Sequence, residues 1–192
     1  MNTIIGWGLS ITLAVLGLAI PTKAHAPVDL PGRPAVPEAF NPTRINDEKR
    51  FQIAAITYTW GDVSWLPLLA TAAGWPQRTH KRLANIILRE SGGCPNRRGG
   101  DTVDAECNIT GVSDWSHRSD TGLLQINGVN YDPSRNKWAI ACRRLEICTQ
   151  EPLLDPLTNL KVGYLLFQEA GWDPWDPCAW GPEYAHRCKK KP

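Results

Sequence analysis

Two stretches of the chain carry apolar residues at helical spacing, and each is bounded by residues that start or stop helices. In the first, Leu83, Ile86 and Ile87 lie seven, four and three residues before Glu90. A helix over Lys81 to Glu90 puts all four side chains on one face. Gly92-Gly93 stops it just past Glu90. In the second, Asp155 reads as an N-cap, Pro156 takes the first helical position and Gly171 follows the end. Leu157, Leu160, Tyr164 and Phe167 recur at three- and four-residue steps and are expected to face the core. Gly163 inside this helix costs about 1 kcal/mol relative to Ala, which points to close packing against another backbone. Ser64 reads as the N-cap of a shorter helix through Ala73, with Gly74 as its stop and Pro76 opening the approach to the Glu90 helix. Phe51 to Trp60 is apolar without a clear period, so helix and strand both stay open. The expected fold class is mainly α (α+β), with a helical core and a small β-hairpin region around the apolar run Leu123 to Ile126.

The ends of the chain read differently. Ile4 to Ile20 is apolar and uncharged, and Ala24-His25-Ala26 is a small-residue cleavage site. Residues 1–26 are therefore expected to be a secretory signal peptide, although Met1-Asn2-Thr3 lacks a basic residue. An uncleaved anchor is the alternative, since the stretch falls just short of a membrane span. Residues 27–45 form a Pro-rich spacer, 46–188 the globular domain, and 189–192 a tail holding Lys189-Lys190-Lys191. That tail is either solvated or adheres to anionic polymers. Of 192 residues, 21 are basic and 19 acidic, and the leader carries only Lys23 among them. This near-neutral balance argues against a nucleic-acid partner.

All six cysteines follow the leader, and an even count in an exported chain argues for disulfides. Proximity suggests Cys94–Cys107, Cys142–Cys148 and Cys178–Cys188. The protein is expected in the cell envelope or outside the cell, as a monomer that meets a membrane only through an uncleaved leader. No metal centre is called for, because paired Cys-x-x-Cys or His spacing is lacking. Asp101, Asp104 and Glu106 lack the pattern of a calcium loop and read as solvated charges.

The candidate chemistry lies between Glu90 and Asn127. Held on the apolar face of a helix end, Glu90 is expected to keep its proton toward neutral pH and so to serve as a general acid. Asp120, among Ser116, His117, Arg118 and Ser119, is expected to stay ionised. One protonated and one ionised carboxylate is the pair that glycoside hydrolysis uses. The alternative for Asp120 is a turn residue holding the chain.

Glu90-Ser91 followed by Asp120-Thr121-Gly122-Leu123-Leu124-Gln125-Ile126-Asn127 resembles the lysozyme superfamily, both animal-type lysozymes and bacterial and phage lytic transglycosylases. Asp120 occupies the position of the second catalytic carboxylate of the animal enzymes; in many lytic transglycosylases that position is not acidic. Leu154-Asp155-Pro156 to Trp175 is similar to the helix and Trp-rich end of secreted actinobacterial and phage members. The resemblance spans roughly Trp65 to Trp175, and the segment between the two motifs is longer than in the animal enzymes. It implies a lysozyme-like fold and cleavage of the β-1,4 bond between N-acetylmuramic acid and N-acetylglucosamine in peptidoglycan, without a metal or organic cofactor. The competing expectation is a binding module of the same fold that holds glycans or a protein without cutting them. Of the nine tryptophans, most are expected in the core. Trp115, Tyr131 and Trp138 flank the Asp120 motif and are candidates for stacking on sugars. Gln125 and Asn127 either bind substrate groups or pin the hairpin.

Overall fold

The computed structural model describes residues 47–112, 114 and 116–179. The expected signal peptide (1–26), spacer (27–45) and tail (189–192) lie outside the described residues, as do Trp115, Trp180 and Cys188. Five α-helices are present among the described residues: α1 (Asp47–Ala54), α2 (Leu66–Ala72), α3 (His80–Glu90), α4 (Ile140–Leu145) and α5 (Pro156–Ala170). One antiparallel pair, β1 (Thr102–Val103) and β2 (Ile109–Gly111), lies between α3 and α4, with Thr102 opposite Gly111 and Val103 opposite Ile109. The domain is thus mainly α with a small β element, stapled by disulfides, but the β pair lies upstream of the run Leu123 to Ile126, which forms a tight turn where the hairpin was expected.

α5 is the central helix, packing against α2 and α4, while α2 also meets α3. Its start follows the sequence signals: Asp155 Oδ1 accepts from the Thr158 amide at 2.7 Å, Pro156 sits at the first position and Gly171 follows the end. Its core face departs from expectation. Leu160 is buried, but Leu157, Tyr164 and Phe167 are only partly so. The fully covered positions are Asn159, Leu160, Val162 and Gly163, with Leu166 close behind. Gly163 explains the rotation. A Cβ there would collide with the Leu124 side chain and lie 3.5 Å from Trp75. Gly163 therefore admits side chains, where a second backbone was expected. Trp75 closes that layer, ringed by Tyr164, Phe167, Trp172 and Trp175 and donating from its indole to the Leu160 carbonyl at 2.8 Å.

The open run resolves as α1 followed by non-helical chain to Trp60. α2 differs from expectation at its start. Ser64 does not cap it, because Asp62 takes both the Ser64 amide (2.8 Å) and hydroxyl (3.0 Å) in a tight local turn. The helix then begins at Leu66 with no side-chain cap. Its end is as expected, with Gly74 at φ +91°. Cys94–Cys107 and Cys142–Cys148 are bonded. Cys178 is also disulfide-bonded, while Cys188 lies outside the described residues.

Candidate active site

Glu90 is the last residue of α3, and the helix forms for the expected reason: Leu83, Ile86 and Ile87 are buried along one face. Gly92 (φ +67°) and Gly93 (φ +89°) then take a backbone that other residues adopt only with strain, so the chain leaves the helix there. Glu90 itself is not sealed against apolar side chains as its spacing implies. Its side chain is 20% exposed and lies in an ion pair. Arg89 folds back to donate from Nε (2.9 Å) and Nη2 (2.5 Å) to Glu90 Oε1. Successive helix residues do not normally face each other, and here Arg89 has a second anchor, the Trp175 carbonyl at 2.6 Å from Nη2. Both bonds land on one oxygen. Oε2 carries no hydrogen bond among the described residues, which leaves it able to exchange a proton with a ligand.

Beside this helix end stands Trp60, a residue the sequence pattern did not single out. Trp60 is 51% exposed, and its ring lies so close to Gly92 that a Cβ there would overlap it. The adjoining Gly61 amide donates to the Gly92 carbonyl at 2.8 Å. The Arg97 guanidinium lies 5.5 Å from the ring centroid. The only local signal was the pairing of a Trp-Gly step with a Gly-Gly step, and nothing in the sequence joins the two.

Asp120 opens a tight turn. Thr121 and Ile126 exchange main-chain bonds of 3.1 and 3.0 Å, with Gly122 at φ +73° and Gln125 at φ +47° between them. Leu123 and Leu124 drive the turn inward; both are fully buried, each contributing about 1.5–3 kcal/mol by burial. The buried Asn159 of α5 holds the turn from behind. Its Oδ1 accepts from the Leu124 amide at 3.0 Å, and its Nδ2 donates to the carbonyls of Thr121 (2.8 Å) and Leu153 (2.9 Å). Asp120 Oδ1 accepts from Asn127 Nδ2 at 2.5 Å, while Asn127 Oδ1 caps the following 3-10 turn through the Val129 amide at 3.0 Å. Gln125 donates to the carbonyls of Gly122 (2.9 Å) and Arg97 (3.2 Å). Of the two roles open to Gln125 and Asn127, these bonds fit the one that pins the turn.

A third strand of chain ties the two carboxylate-bearing elements together. The Arg97 carbonyl accepts from the Gly122 amide at 2.8 Å, and the Gly99 amide donates to the Asp120 carbonyl at 2.8 Å. Arg97 Nη1 reaches the Glu90 carbonyl at 3.4 Å and Nε the Asp101 carbonyl at 2.9 Å.

Two further expectations need correction. Tyr131 is 4% exposed and donates to the Ser119 carbonyl at 2.7 Å, so its ring is not presented for stacking. Burial also pushes its hydroxyl above the usual tyrosine pKa. It forms one wall of an open depression of about 370 Å³, shared with Arg118, Asp132, Arg135 and Gln150. Asp101 is not solvated: it is 3% exposed and paired with Arg118 at 3.0 Å, because burial requires a counter-charge. Asp104 shapes the turn before β2, its carboxyl pKa lowered chiefly by the bonds from Asn108. Trp138 is 60% exposed, with Arg143 and Lys137 at 5.0 and 5.4 Å from its ring centroid. Among the other tryptophans, Trp65, Trp75 and Trp175 are core residues.

These features define a disulfide-stapled, mainly helical domain that displays a carboxylate and an aromatic ring at one helix end. No family model, curated protein or solved structure matches the chain.

Proposed function

We propose that this exported domain is a lysozyme-like enzyme that cleaves peptidoglycan glycan strands at the β-1,4 bond between N-acetylmuramic acid and N-acetylglucosamine, with Glu90 as general acid and base. One observation carries the reading: Glu90 sits at the end of a rigid helix with Oε2 unengaged, beside an exposed Trp60 ring. A sugar stacks readily on such a ring, and a carboxyl oxygen free of internal bonds can give a proton to the glycosidic oxygen. Asp120, oriented by Asn127, supplies the second carboxylate that stabilises the cationic sugar while water completes hydrolysis. If Glu90 works alone, it turns base and activates the sugar's own 6-hydroxyl, and the product is an anhydro sugar.

A second reading has its own support. The Arg89 ion pair holds a positive charge against Glu90, which suits a module that grips glycans without cutting them. Mass analysis of purified peptidoglycan after exposure to wild type and Glu90→Gln separates the cases. Reducing muramic acid ends from wild type alone mean a hydrolase. Fragments lighter by one water mean a transglycosylase. Intact glycan in both samples, with retained binding, removes the enzymatic reading and leaves the module.

A further inference from the structure

Arg97 is a half-buried cation whose charge no carboxylate answers among the described residues. Asp101, its nearest acid in sequence, offers Arg97 only a carbonyl and turns its carboxylate to Arg118 and the Arg98 amide. Two main-chain carbonyls, Asp101 and Glu90, fix the guanidinium through Nε and Nη1. Nη2 makes no hydrogen bond and no acid pairs with the group among the described residues. A partly desolvated charge is costly unless something answers it. A guanidinium already oriented by carbonyls loses little entropy when an anion arrives. Against it, 5.5 Å from its ring centroid, stands the exposed Trp60.

We infer that Trp60 and Arg97 form one subsite that reads an acidic sugar: the ring takes the pyranose face and Arg97 takes a carboxylate carried by that sugar. The inference rests on the proposed glycan-strand function and makes it more specific. On a peptidoglycan strand the carboxylate belongs to the muramic acid unit, either its free lactyl group on a naked strand or a carboxylate of the stem peptide. A neutral N-acetylglucosamine polymer offers the ring a partner and the cation none. Charge-assisted hydrogen bonds from arginine to carboxylate set the expected preference at about tenfold.

The test uses the full chain and three glycans in equilibrium titrations: an N-acetylglucosamine tetrasaccharide, a naked muramic acid-containing tetrasaccharide, and the same glycan with stem peptides. Wild type is expected to bind at least one acidic glycan about tenfold tighter than the neutral one, and whichever acidic glycan is preferred identifies the carboxylate. Arg97→Gln is expected to lose this preference, acidic-glycan affinity falling further than neutral-glycan affinity. Arg97→Lys, which preserves the charge if the glutamine variant does not fold, is expected to retain part of it. Trp60→Ala is expected to weaken all three glycans together. Equal binding of neutral and acidic glycans by wild type, no binding of any, or an equal loss for every glycan in both Arg97 variants would overturn the subsite. Failure of catalysis is read separately. A protein that cuts nothing yet keeps the Arg97-dependent preference loses its enzymatic assignment and retains the subsite.

Discussion

Replacing Asn159 by Ala is expected to destabilise the domain by about 3–5 kcal/mol, and the size follows from which groups lose their partners. Asn159 is fully buried on α5 and makes three bonds to the chain around it. The Thr121 carbonyl keeps a second donor, the Ile126 amide at 3.0 Å, and is left satisfied. The Leu124 amide and the Leu153 carbonyl have no other partner among the described residues, so both become buried and unpaired. Each such group costs about 1–3 kcal/mol, and the vacated side-chain volume adds a smaller cavity term. A water entering the space can recover part of this, which keeps the expected value below the sum of the extremes. The loss is a large share of a domain stability of about 5–15 kcal/mol. Urea unfolding followed by tryptophan emission, with disulfides intact, measures it. Trp175, which donates its indole N–H to the Leu124 carbonyl at 3.0 Å, is one of the core tryptophans whose emission follows global unfolding. Asp155→Ala is the internal standard: it removes one exposed N-cap bond and is expected to cost about 1 kcal/mol. An Asn159→Ala loss no larger than that standard, at an unchanged denaturant slope, would refute the claim that Asn159 holds the Asp120 turn.

Two further outcomes follow from the geometry. Tyr58 is packed edge-on to Trp65 at 5.1 Å, and burial, reinforced by the Asp155 charge, pushes its hydroxyl from 10.0 up to about 12. A raised pKa means the fold favours the neutral phenol, so this stabilisation is present below pH 10 and lost as pH rises through about 12. Unfolding titrations of wild type and Tyr58→Phe are expected to diverge over that window, the variant losing less; parallel curves would remove Tyr58 as the cause. Gly92→Ala and Gly171→Ala both place a side chain at positive φ, +67° and +60°, the second with ψ −132° in a region that essentially only glycine adopts, but only the first drives a Cβ into the Trp60 ring. Both are expected to lose about 1–3 kcal/mol from the backbone, Gly171→Ala toward the upper end, and Gly92→Ala alone to weaken glycan binding by displacing Trp60, a difference that side-by-side unfolding and titration would expose.

The parts of the fold that sequence makes legible are those whose causes are local. α5 starts where an Asp-Pro step allows it and ends at Gly171, and α3 runs from its apolar spacing to a Gly-Gly stop. Both adjacent cysteine pairs close because neighbours in sequence rarely need long detours to meet. What periodicity hides is polar residues placed inward by distant partners. Asn159 interrupts an apolar helix face and reads there as a solvent position. Its reason for burial is a turn some 35 residues earlier that leaves main-chain groups in need of bonds. Asp101 reads as a loop charge because Arg118 is far along the chain, and Tyr131 reads as a platform because its carbonyl partner, on Ser119, is invisible to composition. Ser64 fails as a cap for a local reason that spacing alone does not rank: an Asp two residues earlier competes for the same groups and wins both.

The long segment between Glu90 and Asp120 changes meaning once its bonds are traced. By length alone it looks like an interruption between two halves of a site. Yet Glu90 and Asp120 share no hydrogen bond among the described residues, and their elements are joined through this segment: Arg97 to the Glu90 carbonyl, the Arg97 carbonyl to Gly122, Gly99 to Asp120. Cys94–Cys107 closes the same segment at its base, and Asn96 donates to the Cys107 carbonyl at 2.9 Å across it. The Ala105 carbonyl then accepts from the Trp60 amide at 2.8 Å, so the aromatic ring is fastened to it as well. Four of the groups on which the proposed chemistry depends, Glu90, Asp120, Trp60 and Arg97, therefore take their mutual placement from one stapled stretch of chain. Main-chain bonds do most of this work, and the two carbonyls that fix the Arg97 guanidinium leave its Nη2, like the second oxygen of Glu90, without a hydrogen bond among the described residues. By framing the two carboxylates in this way, the insertion also brings the Arg97 guanidinium to the end of the Glu90 helix and to the Trp60 ring.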